Sequence, residues 1–157
     1  MPSHAKLQKF AVLLPQDKER ILTFAKAELA RAITDPVERD MQSWSARWRP
    51  EALDHYLPLG WSYGAFDGGG SMIGYILGQP LLFYRGLTQT LWIEGLGYDG
   101  EETAGALLET AYRWARDKHF QTLLLEPDPR LAAVLEKQAR IVPVPGGLIE
   151  WRSSRFQ

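Results

Sequence analysis

Between residues 61 and 96 the sequence reads as three strands joined by tight turns, and this stretch most narrows the architectures open to the chain. Residues 61–66 alternate as a half-buried strand does, and Asp67-Gly68-Gly69-Gly70-Ser71 is a hairpin turn. Residues 72–77 run back against it. Gly78-Gln79-Pro80 then bends the chain before residues 81–84, and Arg85-Gly86 turns it into a third strand over residues 87–96. Strands joined this closely can only be antiparallel. The third strand passes through LWIEGLGYDGEETAGALL (residues 91–108) into a helix over 101–118, with Ala104, Leu107, Leu108, Ala111 and Ala115 on one face. Residues 121–126 follow as a short, continuously apolar strand of the buried kind. A strand–helix–strand unit sharing the third strand adds a parallel crossover to an antiparallel meander. The sheet is therefore mixed, and the class is α/β.

The flanking segments extend this plan. Residues 9–14 read as a first strand, and residues 16–33 as a helix with Ile21, Ala25, Leu29 and Ile33 on one face. Asp35, Pro36 and Glu38 supply the start signals of a second helix, whose apolar stripe is Val37, Met41, Trp44 and Trp48. It must stop near Arg49-Pro50, and residues 50–57 form a short further helix. Asp128-Pro129 starts a helix over 130–139. Residues 141–151 then offer one or two strands, broken at Pro145-Gly146-Gly147. With no internal repeat and no linker, the chain reads as one domain over residues 1–157.

Composition removes several function classes. A net charge of −1 over 157 residues argues against nucleic acid as the main partner. The absence of cysteine excludes disulfides, thiolate metal sites and a cysteine nucleophile, and fits a cytoplasmic protein. The apolar run at residues 10–14 is too short for a signal peptide, and no segment reaches membrane-spanning length, so no membrane partner is expected. His4, His55 and His119 share no ligand spacing, so no metal site is expected. Trp44 and Trp48 read as a core stripe, with a substrate wall as the alternative, and Arg47 and Arg49 as a solvated face.

The strand–glycine–helix stretch is the candidate site. Gly95-Leu96-Gly97-Tyr98-Asp99-Gly100 has the spacing of a dinucleotide fingerprint, but it lies late in the chain, after antiparallel strands. Gly100 to Gly105 has the two glycines of a P-loop without its Lys-Ser/Thr, which removes that reading. Glu101 and Glu102 suit the positive end of a helix, and Asp99 with Glu102 is predicted to form a capping box.

The element order, and the run Ile93-Glu94-Gly95-Leu96-Gly97-Tyr98 followed by Gly105-Ala106-Leu107-Leu108, resemble the GNAT superfamily of acetyl-CoA-dependent N-acetyltransferases. The resemblance implies a GNAT-like α/β domain: a mixed, mostly antiparallel sheet, splayed near residues 95–98, with helices on both faces. It also implies acetyl-CoA as co-substrate, held at Leu96, Gly97, Tyr98, Gly105 and Ala106 by strand amides and a helix start. Glu94 then stands where several members carry the carboxylate that takes the amine proton. The acceptor would be a primary amine of a small molecule or peptide, and a free sheet edge would allow a homodimer. Against the family pattern, Thr103 replaces the first loop glycine and Gly100 the Arg/Gln, and the loop is about three residues short. Leu135 stands where the family's usual tyrosine acid belongs. These departures predict weakened or altered CoA binding. They keep a second reading open, a GNAT fold retained as a binding or interaction module without activity.

Overall fold

The computed structural model describes residues 7–126, 128–136, 141–144 and 147–152. Seven strands form one sheet in the order β1-β2-β3-β4-β5-β7-β6. They are β1 (Leu7–Val12), β2 (Tyr63–Asp67), β3 (Met72–Tyr84), β4 (Leu87–Tyr98), β5 (Thr122–Leu125), β6 (Ile141–Val144) and β7 (Leu148–Arg152). Among the described residues only β4 and β5 pair in parallel; the other five pairings are antiparallel. One parallel pair cannot make a doubly wound sheet, so the dinucleotide reading is excluded on topology.

The helices are α1 (Lys18–Ala32), α2 (Pro36–Trp44), α3 (Pro50–Tyr56), α4 (Glu101–Asp117) and the short α5 (Ala132–Leu135). Alternation along the strands divides the core between two faces. Tyr75 and Leu77 of β3 meet Ile21, Leu22 and Ala25 of α1 and Leu53 and Tyr56 of α3. Ile76, between them in sequence, points the other way and joins Leu91, Ile93, Leu123 and Leu125 under Ala104, Leu108, Ala111 and Ala115 of α4. Full burial of such a leucine or isoleucine contributes about 1.5–3 kcal/mol, so the two faces hold the sheet from both sides.

Four expectations are corrected. The bend at Gly78-Gln79-Pro80 does not interrupt β3, which runs unbroken to Tyr84. Pro80 lies past the last β2 pairing at Ile76, where one edge of β3 is open and proline is tolerated. The second helix ends at Trp44, not near Arg49; residues 45–49 continue as turns closed by Ala46 N–H to Ser43 O and Arg49 N–H to Ala46 O. Its stripe is not core: Val37, Met41 and Trp44 are 57–68% exposed, and only Trp48 packs inward. The helix expected over 130–139 is a 3-10 turn, Pro129–Leu131, followed by α5. His4, Gln138, Ala139, Arg140, Pro145 and Gly146 lie outside the described residues.

Candidate active site

The site arises where β4 outruns β5. Their pairing covers Thr90↔Thr122 to Ile93↔Leu125 and then stops, while β4 continues to Tyr98. At this point β4 also bulges: Gly78 faces Ile93 and Leu77 faces Gly95, so Glu94 is the extra residue with no partner on β3. A bulge re-aims side chains and increases local twist, which here opens a splay between the two strands. Gly78 N–H, just past the end of the β2 pairing at Ile76, donates to the buried Ser62 Oγ at 3.2 Å. The cleft in the splay has a volume of about 310 Å³ and is lined by Glu94, Leu96, Leu125, Glu126 and Arg130, with Arg47 at its rim.

Backbone alternation decides which groups of β4 face this opening. Asp99 N–H donates to Ile73 O across the β3 ladder. In an antiparallel pair every second residue bonds to the partner, so Gly97 and Gly95 also turn toward β3. Leu96 and Tyr98 therefore direct their N–H and C=O groups to the open side. That outward direction is visible at Tyr98, whose N–H is taken by the Glu28 carboxylate of α1 at 3.2 Å.

Glu94 is surrounded by donors. Arg47 Nη1 approaches Oε1 at 2.8 Å, Trp92 Nε1 donates to Oε2, and the Tyr56 hydroxyl is in contact. Burial pulls its carboxyl upward, but the bonds from Trp92 and Arg47, the Arg47 charge and Tyr56 outweigh that pull. Together they hold it below the usual carboxylate range. Tyr56, buried and beside this anion, has its phenol pushed up to about 12. Arg47 also reaches Glu126, just beyond β5, through Nη2 at 2.8 Å. The expectation of a solvated face thus fails for Arg47. Nothing in its sequence context marks it, because its partners lie 47 and 79 residues away.

Toward the other end of the cleft, the lining residues Asp128 and Arg130 meet Tyr98. Its hydroxyl lies 3.4 Å from Asp128 Oδ2, and the Arg130 guanidinium sits 5.2 Å over its ring while also bonding Asp128 at 2.8 Å. Glu28, beside this cluster, has its carboxyl raised by burial. The Tyr98 N–H bond and the charges of Arg31 and Arg130 oppose that rise, and Asp99 adds to it.

The two glycines that drew attention in the sequence have a packing role. A β-carbon at Gly97 would stand 2.3 Å from Tyr75 Cε1 and 2.7 Å from Glu28 Oε1. One at Gly95 would stand 3.1 Å from Arg47 Cβ. Both positions face the α1–α3 side, and their missing side chains admit Glu28 and Arg47 to the strand.

At the start of α4 the predicted capping box is absent. The N-cap residue is Gly100, in extended conformation, with no side-chain cap bond. Asp99 instead continues the β3 ladder, which carries it away from the helix axis. The first-turn amides of Glu101, Glu102 and Thr103 precede the first intrahelical bond, Ala104 N–H to Gly100 O. Gly105 and Ala106 lie a turn further in, half-buried within α4. Leu135, at the expected tyrosine place, is buried in the core of the α4 face.

Comparison with known proteins yields fold relatives of low identity. No protein-family model and no curated protein matches the sequence. Solved structures do match. A GNAT family acetyltransferase from Brucella melitensis in complex with acetyl-CoA is 16% identical, with a TM-score of 0.66 over 98% of this chain and 92% of that one. The PaiA N-acetyltransferase from Thermoplasma acidophilum in complex with coenzyme A is 14% identical, with a TM-score of 0.66 over 92% of this chain and 98% of that one. The polyamine N-acetyltransferase of Drosophila melanogaster, which forms N-acetylagmatine, is 13% identical, with a TM-score of 0.59 over 90% and 97%. With its bulged fourth strand, its single parallel pairing and its splay, this chain has the fold of the GNAT acetyltransferases.

Proposed function

We propose that this protein is an acetyl-CoA-dependent N-acyltransferase acting on a primary amine of a small molecule or peptide. The observation that carries the proposal is the end of the β4–β5 pairing at Ile93 and Leu125, with the bulged Glu94 placed at the mouth of the opening. Outward-facing groups of Leu96 and Tyr98 then offer hydrogen bonds along the cleft, which suits the amide-bearing arm of an acyl-CoA. The uncapped first turn of α4 offers amides to a pyrophosphate. The neighbours bound to CoA and acetyl-CoA, and the agmatine, polyamine and arylalkylamine N-acetyltransferases among them, support the same reaction class.

Acetyl-CoA would supply the activated acyl group, and the chain's residues would direct the transfer. Glu94 takes a proton from the attacking ammonium, directly or through water, because the nitrogen needs a free lone pair. The Leu96 N–H would stabilise negative charge developing on the thioester oxygen. A new C–N bond forms, the C–S bond breaks, and the nitrogen's second proton passes to the departing sulfur, which leaves as the thiol. Gly97, Gly105 and Ala106 remain proposed cofactor-side residues. Gly97 acts through the close approach it permits, and the other two through the packing of α4 beneath the loop.

The competing reading, a GNAT fold kept as a binding module, draws on Glu28 already holding the Tyr98 amide and on Gly100 standing where an arginine is usual. Turnover separates the two. Thiol release from acetyl-CoA should appear with an amine panel and fall about 10²- to 10⁴-fold in Glu94→Gln, the usual worth of a positioned base. Equal turnover in that variant removes Glu94 from the reaction, and no turnover with any amine favours the binding module.

A further inference from the structure

The link between α2 and α3 carries the residue that spans the cleft. α2 has no buried residue, so packing does little to fix it, and Trp48 is the first side chain after it that joins the core. Three residues beyond the end of α2, the stem of Arg47 lies against Gly95, where a β-carbon would stand 3.1 Å from Arg47 Cβ. The guanidinium then divides its donors, Nη1 to Glu94 and Nη2 to Glu126, both at 2.8 Å. Glu94 sits on the bulge of β4, and Glu126 follows the last residue of β5. One side chain therefore ties the two strands together where they part.

We infer that Arg47 is the positioning residue of this cleft, holding Glu94 aimed into the splay and fixing how far β4 stands from the end of β5. The inference rests on the reading of Glu94 as the base. The planar fork of arginine suits this bridge, because its two terminal nitrogens stand apart and can serve two separate carboxylates; a lysine ammonium concentrates its charge and its donors on one nitrogen. Glu94 is also faced by Trp92 of β4 and Tyr56 of α3. Across the cleft stand Glu126, reached through the shared guanidinium, and the paired Asp128 and Arg130. Removing Arg47 leaves Glu94 with two neutral donors and no cation, so the carboxyl takes up its proton at a higher pH.

The test compares the full-length wild type with Arg47→Gln, Arg47→Lys and Gly95→Ala, which crowds Arg47 without changing charge. Thiol release from acetyl-CoA is followed against pH at saturating amine. In Arg47→Gln the acid limb of kcat should move up by about one pH unit, with KM for acetyl-CoA little changed. Arg47→Lys should recover part of that shift, and Gly95→Ala should move the limb in the same direction. A uniform loss of kcat with an unmoved acid limb overturns the inference. If the wild type turns over no amine, the proposed function fails by itself. The inference is then decided by carboxyl NMR titration of Glu94, assigned through Glu94→Gln. A higher midpoint in Arg47→Gln supports it, and an identical midpoint overturns it.

Discussion

The two halves of β4 differ more from each other than β4 does from its neighbours. From Thr90 to Ile93 the strand is clamped between β3 and β5, and Leu91 and Ile93 are buried under α4. From Glu94 to Tyr98 it keeps only β3, and two of its five residues, Gly95 and Gly97, have no side chain. In the first half, side chains fill space; in the second, their absence admits groups from the helical layer. Arg47 and Glu28 use that space to reach Glu94 and the Tyr98 amide. The first half therefore sets stability and, on the proposed function, the second sets chemistry, although one continuous strand contains both.

Substitutions can break or sharpen that division. The largest stability effect is expected at Leu91, fully buried in the clamped half. Leu91→Ala should cost about 2–5 kcal/mol through lost burial and a cavity, read as a shifted urea midpoint. A cost under about 1 kcal/mol would mean that the clamp is not what holds this half.

Glu28 probes the open half. Because burial raises its carboxyl pKa, the folded protein holds that proton more tightly than the unfolded chain. Its contribution to stability is full below the ordinary carboxylate range and is lost as pH rises through the raised pKa. Glu28→Gln should flatten that part of the stability profile. It should also tighten acetyl-CoA binding about fivefold, the ~1 kcal/mol separating a hydrogen bond to a charged group from one to a neutral group. Unchanged affinity would show that Glu28 does not compete for the Tyr98 amide.

The smallest effect is expected at Thr90. It faces Thr122 across the parallel pair, and among the described residues both buried hydroxyls lack a hydrogen-bond partner. Thr90→Val removes one such hydroxyl at similar volume and should stabilise the protein by up to about 1 kcal/mol. Destabilisation instead would point to a hidden partner for that oxygen.

The legibility of the sequence follows the same line. The three-strand meander, the parallel crossover and the α4 stripe depend on local periodicity, and Leu107, Leu108 and Ala111 are buried as their spacing predicts. The same rule gives a helix at α2 but not its surroundings. Periodicity reports an apolar face without naming what covers it, and Val37, Met41 and Trp44 face solvent. Glu94 is legible as a candidate through the resemblance of its strand to the GNAT pattern. Arg47 and Glu28 are not, since each acts through contacts made only after folding brings distant segments together. The glycines are legible as close-approach positions, but what approaches them is decided in three dimensions.

The central claim, that the open half of β4 is a binding site for an acyl-CoA, is tested most directly by calorimetric titration of the wild-type protein with acetyl-CoA. The account predicts saturable binding at one site, tightened in Glu28→Gln and nearly unchanged in Glu94→Gln. No heat at millimolar acetyl-CoA, at two temperatures, would contradict it.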